Sequence, residues 1–390
     1  MLKDKDVTII GAGASGLMCA IEAGKRGRST LVLDHVERIG NKIRLSGGGR
    51  CNFTNLNCGY ENYLSENLRF CKSALARFTP SAFIDMLRRH NVGFHEEDNG
   101  RLFCDRSSID ILTMLRKECE WAGVEIRLRC GILTLRKNDH FTIKTDHDLV
   151  RSESLVIATG GLSFPKLGAT DYGYRIARRF GLKVIPLKPA LVSFTFHPGD
   201  LRVFGELSGI SVNASVSCRG KKFSEKILFT HTGLSGPAVL QLSLYWNEGD
   251  SIVIDLLPDT DIFQFFVEKR GSSIEMRNLL SRFFPARFAR KWCQLYIHSK
   301  PLSQYSLKEL KDIARFLHNW EIKPRGTCGY GRAEVTRGGV DTDEISSTTM
   351  EAKKIPGLYF IGEVIDMTGQ LGGHNLHWAW ASGFAAGQYA

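Results

Sequence analysis

Two cysteine patterns are missing from this sequence. Its 10 cysteines are scattered along 390 residues, and no Cys-x-x-Cys pair occurs. The chain therefore lacks a redox dithiol adjacent in sequence, which argues against a pyridine-nucleotide disulfide reductase. It also lacks the close spacing that is typical of zinc ligands, and we predict no metal site.

Long apolar runs and leader-like segments are missing too. No hydrophobic stretch approaches the length that spans a bilayer, so we predict no membrane span. The first strand-like run follows residues 1–6 directly, which leaves no room for a signal peptide, and we expect a cytoplasmic protein. The remaining composition, 43% hydrophobic and 24% charged with 11 prolines, is typical of a folded globular chain.

Acidic residues are in the minority, and the formal net charge is +11. A basic chain binds either nucleic acid or a membrane surface, or else an anionic cofactor and substrate. The charges are spread along the chain, which favours the second interpretation. The segment from Arg282 to Trp292 interleaves basic and aromatic residues, as RNA-binding segments do. Such a segment is more often an amphipathic helix with a solvated basic side, so we do not expect nucleic acid as a partner.

The most specific pattern that is present lies near the start of the chain. An apolar run ends in Gly11-Ala12-Gly13-Ala14-Ser15-Gly16, and a helical pattern follows. In a dinucleotide site the first glycine allows a tight turn, the second lets the backbone approach a pyrophosphate, and the third lets the helix pack on the strand. The next strand-like run ends at Asp34, which is placed to bind a ribose hydroxyl. This arrangement predicts a bound dinucleotide.

Three further glycine-rich segments carry candidate cofactor contacts. The first holds three consecutive glycines between Lys42 and Arg50. Such a loop suits a backbone that runs against a flat ligand, and its two cations suit a pyrophosphate. The second is Thr159-Gly160-Gly161, which follows a buried-type strand. The third follows a late strand and contains Gly362, Glu363, Asp366 and Asn375.

The order of helix and strand patterns predicts an α/β protein with a discontinuous Rossmann-like nucleotide-binding domain. An insert with an antiparallel β domain and a helical subdomain interrupts it. The expected ranges are 1–189 and 331–390 for the nucleotide-binding domain, 190–258 for the inserted β domain and 259–330 for the helical part. Residues 63–92 and 107–122 are predicted to be helical.

These motifs resemble those of the BaiN-like NAD(P)/FAD-dependent oxidoreductases, a family of flavoproteins with two-dinucleotide-binding-domain architecture. The resemblance covers essentially the whole chain. It rests on residues 11–16, 46–52, 158–165, 229–237, 362–363 and 378–380. It implies that the Rossmann-like domain binds FAD non-covalently. Because only one dinucleotide fingerprint is visible, either NAD(P)H binds transiently as the electron donor or the electrons come from another source.

The resemblance also implies which residues contact FAD. The first glycine loop would hold the pyrophosphate, Asp34 the adenosine ribose, and the backbone of Ile132 the adenine. The predicted set is Gly11, Gly13, Ala14, Ser15, Gly16, Asp34, Lys42, Ser46, Gly48, Gly49, Arg50, Cys51, Asn52, Ile132, Thr159, Gly160, Gly161, Gly362, Glu363, Asp366 and Asn375. The family's aromatic-Asn-x-Gln-Trp pattern is replaced here by His-Asn-Leu-His-Trp at 374–378, so family roles do not transfer to positions 374 and 377.

Four residues are weak candidates for catalysis. His374 and His377 lie near the predicted flavin helix and suit protonation of a reduced substrate, although a structural histidine is the commoner role. Cys51 is either a reactive thiol or a small packed residue. His231 either faces the flavin or shapes a turn.

The predicted function is that of an FAD-dependent oxidoreductase that takes electrons from NAD(P)H and reduces an activated C=C or C=O bond of a small organic substrate. One member type of the family acts on unsaturated steroid-like rings, a substrate that does not transfer with the fold. The alternatives are a flavin oxidase, an RNA-associated flavoprotein that uses the basic insert, and a flavin-bound assembly or sensing protein. The sequence does not define the oligomeric state.

Overall fold

The structure is a computed structural model that describes residues 2–390. The chain folds into two compact units. The first unit is formed by residues 1–189 and 334–390, and the second by residues 190–333. Each unit has its own cluster of buried hydrophobic residues.

The first part of the first unit alternates strands with helices. Its strands are β1 (Leu2–Ile10), β2 (Thr30–Leu33), β3 (Asn52–Asn55), β4 (Tyr63–Leu64), β5 (Phe94–Glu97), β6 (Arg101–Cys104), β7 (Glu125–Arg127), β8 (Ile132–Lys137), β9 (Phe141–Thr145), β10 (Leu149–Ile157) and β11 (Val184–Ala190). Its helices are α1 (Ala14–Lys25), α2 (Asn41–Leu45), α3 (Lys72–Arg77), α4 (Pro80–Arg89), α5 (Ser108–Trp121) and α6 (Tyr172–Arg179).

One seven-stranded sheet forms the centre of this unit, with the strand order β7-β2-β1-β10-β9-β8 and a late strand beside β10. Strands β7, β2, β1 and β10 are parallel. Val7 and Ile9 are fully buried, as expected for a parallel strand that is covered on both faces. The carboxyl ends of these strands meet at one edge of the sheet, where open α/β sheets bind their ligands. Gly11 and Asp34 follow directly after β1 and β2, and Thr159 is the second residue after β10.

The range 63–92 differs from its predicted continuous helix. Tyr63 and Leu64 form β4, and the helices begin only at Lys72 and Pro80. Proline fits the first turn of a helix because its missing N–H has no partner there, so Pro80 starts a new helix. The predicted helix over 107–122 is confirmed as α5, in which the Ser107 side chain accepts a hydrogen bond from the N–H of Ile109.

The second unit is an antiparallel sheet with packed helices. Its strands are β12 (Phe194–Thr195), β13 (Ser211–Cys218), β14 (Lys221–Phe229), β15 (Gly233–Ser235), β16 (Ile252–Asp255), β17 (Trp320–Ile322) and β18 (Gly326–Thr327). They pair in the order β17-β16-β13-β14-β15-β12-β18. Its helices are α7 (Pro198–Phe204), α8 (Pro237–Ser243), α9 (Ile262–Lys269), α10 (Met276–Leu280), α11 (Ala286–Tyr296) and α12 (Leu307–His318).

The helices and the sheet of the second unit share one core. Strands β17 and β18 lie inside the range predicted to be helical, because Trp320 continues the apolar spacing of α12 but pairs with Ile254 in the sheet. Phe288 and Trp292 of α11 pack on that sheet, with ring centroids 5.7 Å from Phe229 and 4.9 Å from Trp320 respectively. The aromatic side of α11 is therefore buried.

The chain then returns to the first unit with β19 (Val335–Val340), β20 (Leu358–Phe360), β21 (Thr368–Gly369) and α13 (His374–Gly387). Strand β20 pairs with β10 in parallel and brings Gly362 to the same sheet edge. A Cβ added to Gly383 of α13 would lie 2.4 Å from the carbonyl oxygen of Ser15, so glycine lets α13 approach α1 closely. These elements confirm the predicted α/β fold class with its inserted antiparallel sheet and helices. No helix within residues 2–390 has the length and apolarity to cross a membrane.

Candidate dinucleotide site

The glycine turn after β1 combines close backbone packing with open space. Gly11 has φ of +117°, and a Cβ there would lie 2.3 Å from the carbonyl oxygen of Ala158. A Cβ on Gly16 would lie 1.9 Å from the carbonyl oxygen of Gly11. A Cβ on Gly13 would meet nothing within 4 Å. The turn therefore leaves room beside Gly13 at the start of α1, where the free N–H groups of the helix favour an anion.

Asp34, directly after β2, forms hydrogen bonds that stabilise this turn. Its Oδ2 accepts a hydrogen bond of 2.7 Å from the N–H of Ala12, and its Oδ1 accepts one of 3.1 Å from the N–H of Val36. Each carboxylate oxygen has further lone-pair capacity, so ribose hydroxyls can still donate to Asp34. Its negative charge disfavours a 2′-phosphate at this position.

The three-glycine loop has a left-handed backbone. Gly47, Gly48, Gly49 and Cys51 have φ values of +57°, +64°, +91° and +52°. A Cβ on Gly48 or Gly49 would meet nothing within 4 Å, so bare backbone faces open space. The hydroxyl of Ser46 donates to the carbonyl oxygen of Ile43 and fixes the start of the loop.

Lys42 and Glu363 form an ion pair, although 321 positions separate them. The Lys42 Nζ lies 2.5 Å from Glu363 Oε2, and Glu363 Oε1 accepts a hydrogen bond of 2.8 Å from the N–H of Thr336. A Cβ on Gly161 would lie 2.4 Å from Glu363 Oε1, so glycine is needed for this approach. The charge of Lys42, which was predicted to bind the pyrophosphate, is thus partly neutralised by Glu363, which was itself predicted to contact the cofactor. Thr336 was not predicted; the only signal is that it ends a strand pattern just before Gly338 and Gly339.

Several predicted cofactor residues instead have structural partners. The guanidinium of Arg50 is exposed and pairs with Glu97 at 3.0 Å. The Asn52 amide donates to the carbonyls of Leu102 and Thr54 and accepts from the N–H of Gly373.

The same holds for three residues elsewhere in the first unit. Asp366 accepts from the N–H of Glu66, and burial raises the pKa of its carboxyl group. The side-chain amide of Asn375 accepts a hydrogen bond from the N–H of Gly369 and donates one to the carbonyl oxygen of the same residue. Ile132 begins β8 and pairs with Thr145.

The two candidate histidines of α13 are buried and uncharged. His377 is fully buried, and its Nδ1 lies 2.8 Å from the hydroxyl of Thr54. The backbone carbonyl oxygen of His374 accepts a hydrogen bond from the Tyr63 hydroxyl. The imidazole Nδ1 of His374 has no partner within residues 2–390. Burial lowers the pKa of both imidazoles to about 4. A neutral imidazole is a poor general acid at neutral pH, which argues against the predicted role of these histidines in protonation.

The other two catalytic candidates have different surroundings. Cys51 is fully buried, and burial raises the pKa of its thiol to about 12, so its packing role is favoured over a reactive thiolate. His231 is exposed in the second unit, in the turn between β14 and β15. The hydroxyl of Thr230 accepts hydrogen bonds from the N–H groups of Thr232 and Gly233 and forms that turn.

The residues at this sheet edge fit a dinucleotide that carries a flat ring. The Thr159 hydroxyl is buried and has no partner within the described chain, and a Cβ on neighbouring Gly160 would meet open space. The amino end of α13 begins at His374 and supplies N–H groups suited to an electron-rich ring edge. Within residues 2–390 no group of three or more His, Cys, Asp or Glu side chains is arranged to hold a metal ion.

The HI0933-like protein Rossmann domain family model matches residues 5–389. A relative from Escherichia coli (strain K12) is 48% identical over 98% of this chain and 97% of its own length, and is named ribosomal RNA dihydrouridine synthase. A relative of the same name from Haemophilus influenzae is 44% identical over 97% of this chain and 96% of its own length. The 3-dehydro-bile acid delta(4,6)-reductase of Clostridium scindens is 28% identical over 98% of both chains.

These similarities confirm the predicted resemblance and correct two other predictions. The preference for a small organic substrate is wrong, because the two relatives above 40% identity are named for ribosomal RNA. The expectation that nucleic acid is not a partner is wrong for the same reason. The alternative of an RNA-associated flavoprotein agrees better with these relatives.

Proposed function

The chain belongs to the HI0933-like protein family, and on that premise we propose that it is an FAD-dependent enzyme that reduces uridine to dihydrouridine in ribosomal RNA. The observation that carries the proposal is the 48% identity over 98% of the chain to a ribosomal RNA dihydrouridine synthase. Identity to the bile acid reductase is only 28% at the same coverage. The proposal includes NADH or NADPH as the transient electron donor and the cytoplasm as the location.

When bound, FAD would supply the two-electron chemistry between the nicotinamide donor and the uracil ring. We propose that the N–H groups at the start of α1, beside Gly13, bind its pyrophosphate. Asp34 would accept hydrogen bonds from the ribose while it braces the turn. Gly48, Gly49 and Gly160 would present bare backbone to the cofactor, where larger residues would occupy its space.

Reduction of the C5=C6 bond of uracil adds a hydride to one carbon and a proton to the other. The proton donor must carry that proton at neutral pH. A pKa that burial lowers to about 4 argues against His374 and His377 in this role, and the full burial of Cys51 argues against its thiol. In this proposal His377 holds α13 against β3 through the hydroxyl of Thr54, and the proton comes from another group or from water.

The test is conversion of uridine by the purified flavoprotein. Ribosomal RNA transcripts, which carry no prior modification, are incubated anaerobically with the protein and NADH or NADPH, then digested and measured by nucleoside mass spectrometry. We expect dihydrouridine at a defined site. The matched control is Gly13→Asp, which suits the helix N-cap but places a carboxylate where we propose the pyrophosphate. A flavin-loaded, reducible protein that leaves every ribosomal uridine unchanged contradicts the proposal.

A further inference from the structure

A long acid-free segment lies in the second unit. Residues 276–308 contain seven Lys and Arg residues and no Asp or Glu. The segment spans α10 and α11 and ends in the first turn of α12. Over the whole chain, 52 basic residues are balanced by 41 acidic ones, so this segment departs strongly from the average. Its positive charge must be compensated by contacts from other segments or by an external anion.

The apolar side of α11 is buried in the core of the second unit. Phe288 is fully buried, Trp292 is 1% exposed, and Phe284 is 4% exposed. These rings stack within the protein and cannot stack on RNA bases. They anchor α11 in the core, and the polar side chains of the helix lie on its opposite, solvent-facing side.

Two cations of α11 are used inside the protein. The Arg287 guanidinium donates a hydrogen bond of 2.8 Å to the carbonyl oxygen of Ser208, and Lys291 pairs with Glu206 at 2.9 Å. Both contacts hold α11 against the turn that follows α7. The ion pair with Glu206 offsets the charge of Lys291, whereas the hydrogen bond of Arg287 to a neutral carbonyl leaves its positive charge available to a partner.

Of the other cations in this segment, Arg277 and Lys300 pair with Glu275 and Glu309, and Lys308 lies outside α11 in the first turn of α12. Arg282 and Arg290 remain. Both side chains are exposed, and neither forms an ion pair within the described part of the chain. Arg290 lowers the pKa of Glu206 through its charge but makes no contact with it. Gln294 is exposed one turn after Arg290, on the same side of the helix as Arg287. We call Arg287, Arg290 and Gln294 of α11, together with Arg282 of the turn that precedes the helix, the arginine face.

We propose that the arginine face binds the sugar-phosphate backbone of the RNA substrate, an inference that rests on the proposed function. Guanidinium groups match phosphate geometry with paired N–H donors. On α11 only the Tyr296 ring is exposed, and the helix carries no groove-reading motif, so the arginine contacts position RNA and do not read its sequence. A membrane surface is disfavoured, because membrane-binding amphipathic helices expose their apolar side and α11 buries it.

The test is RNA binding by Arg282→Gln/Arg290→Gln in the full-length, FAD-loaded protein. The matched control is Lys222→Gln/Lys226→Gln, which removes two exposed lysines from β14 in the same unit. The probe is deproteinised bacterial ribosomal RNA, with the large- and small-subunit species measured separately by filter binding. Loss of two phosphate contacts lowers affinity about 25- to 60-fold at 0.1 M salt and reduces the salt slope by about 1.4 to 1.8. The control is expected to change affinity less than threefold.

The outcomes separate this inference from the proposed function. If the wild-type protein binds and converts ribosomal RNA but the arginine variant binds equally well, the arginine face is refuted and the proposed function stands. Equal losses of RNA affinity in the arginine variant and the lysine control also refute it, since they indicate that RNA responds to the overall positive charge of the unit and not to these arginines. Selective loss of binding to anionic phospholipid vesicles, with RNA binding retained, would assign the face to a membrane instead. If the wild-type protein neither binds nor converts ribosomal RNA, the proposed function fails and the inference with it. Unchanged FAD content and thermal melts show that the variants remain folded.

Discussion

A pair of glycine-to-alanine substitutions tests the two roles of the first glycine turn separately. Gly16→Ala places a methyl group 1.9 Å from the carbonyl oxygen of Gly11, well inside contact distance, whereas Gly13→Ala places it in open space. Overpacking of this kind costs about 1–3 kcal/mol, and the backbone neighbour at Gly16 puts the cost at the upper end. Alanine recovers up to about 1 kcal/mol of helix propensity, so we expect a net loss of about 2 kcal/mol.

The assay is a thermal melt of FAD-free protein together with a fluorescence titration of FAD. For a unit of this size, about 2 kcal/mol lowers the Tm by about 4–8 °C in Gly16→Ala. Gly13→Ala should melt within about 1–3 °C of wild type, a small loss because alanine is a poorer helix N-cap than glycine. It should nevertheless bind FAD much more weakly, since its methyl group would stand where we propose the pyrophosphate. The packing argument is refuted if FAD-free Gly16→Ala melts like the wild type. Normal FAD affinity in Gly13→Ala would refute the proposed pyrophosphate position.

Three further predictions concern single side chains. Asp34→Ala removes the acceptor for two backbone N–H groups and should destabilise FAD-free protein by about 3 kcal/mol, measured by urea unfolding; Asp34→Asn, which keeps an acceptor oxygen, should lose less. The folded-state pKa of His377, about 4, lies below its unfolded value near 6.5, so the unfolded chain binds more protons in this window. The free energy of unfolding should therefore fall as pH drops from about 6.5 to 4, and His377→Gln should show a weaker dependence; identical pH profiles would contradict this. The Cys51 thiol, with a pKa of about 12 and no exposure, should resist iodoacetamide at pH 8 in native protein and react only after unfolding, as peptide mass spectrometry would show.

The sequence predicted those parts of the fold that depend on local patterns. The turn from β1 into α1 could be recognised from residues 11–16 alone, because each glycine there is required by backbone geometry or close packing inside the turn. The antiparallel sheet of the insert followed from short alternating runs. Trp320 was assigned to a helix because its spacing continues that of α12, while pairing with Ile254, which is 66 positions away, decides its strand state. Local periodicity carries no information about such long-range pairing.

The candidate site was predictable as a sheet edge but less so in its contacts. The pairing of Lys42 with Glu363 joins distant loops, and nothing near either residue indicates it. The histidines of α13 were candidates on position alone; their burial, which lowers the pKa of each, depends on neighbours such as Thr54 and Tyr63 from other elements. The substrate was missed because FAD chemistry is the same for a steroid ring and a uracil ring. Net charge taken over the whole chain also concealed the acid-free stretch at 276–308.

The most direct measurement is a single turnover without air. Protein whose FAD has been reduced by one equivalent of dithionite is mixed with a ribosomal RNA transcript, and separately with an unsaturated steroid ketone, while the flavin absorbance is followed. We expect RNA to reoxidise the flavin with one dihydrouridine formed per flavin, and the steroid to leave the flavin reduced. Reoxidation by the steroid alone, with unchanged RNA, would show that ribosomal RNA is not the substrate.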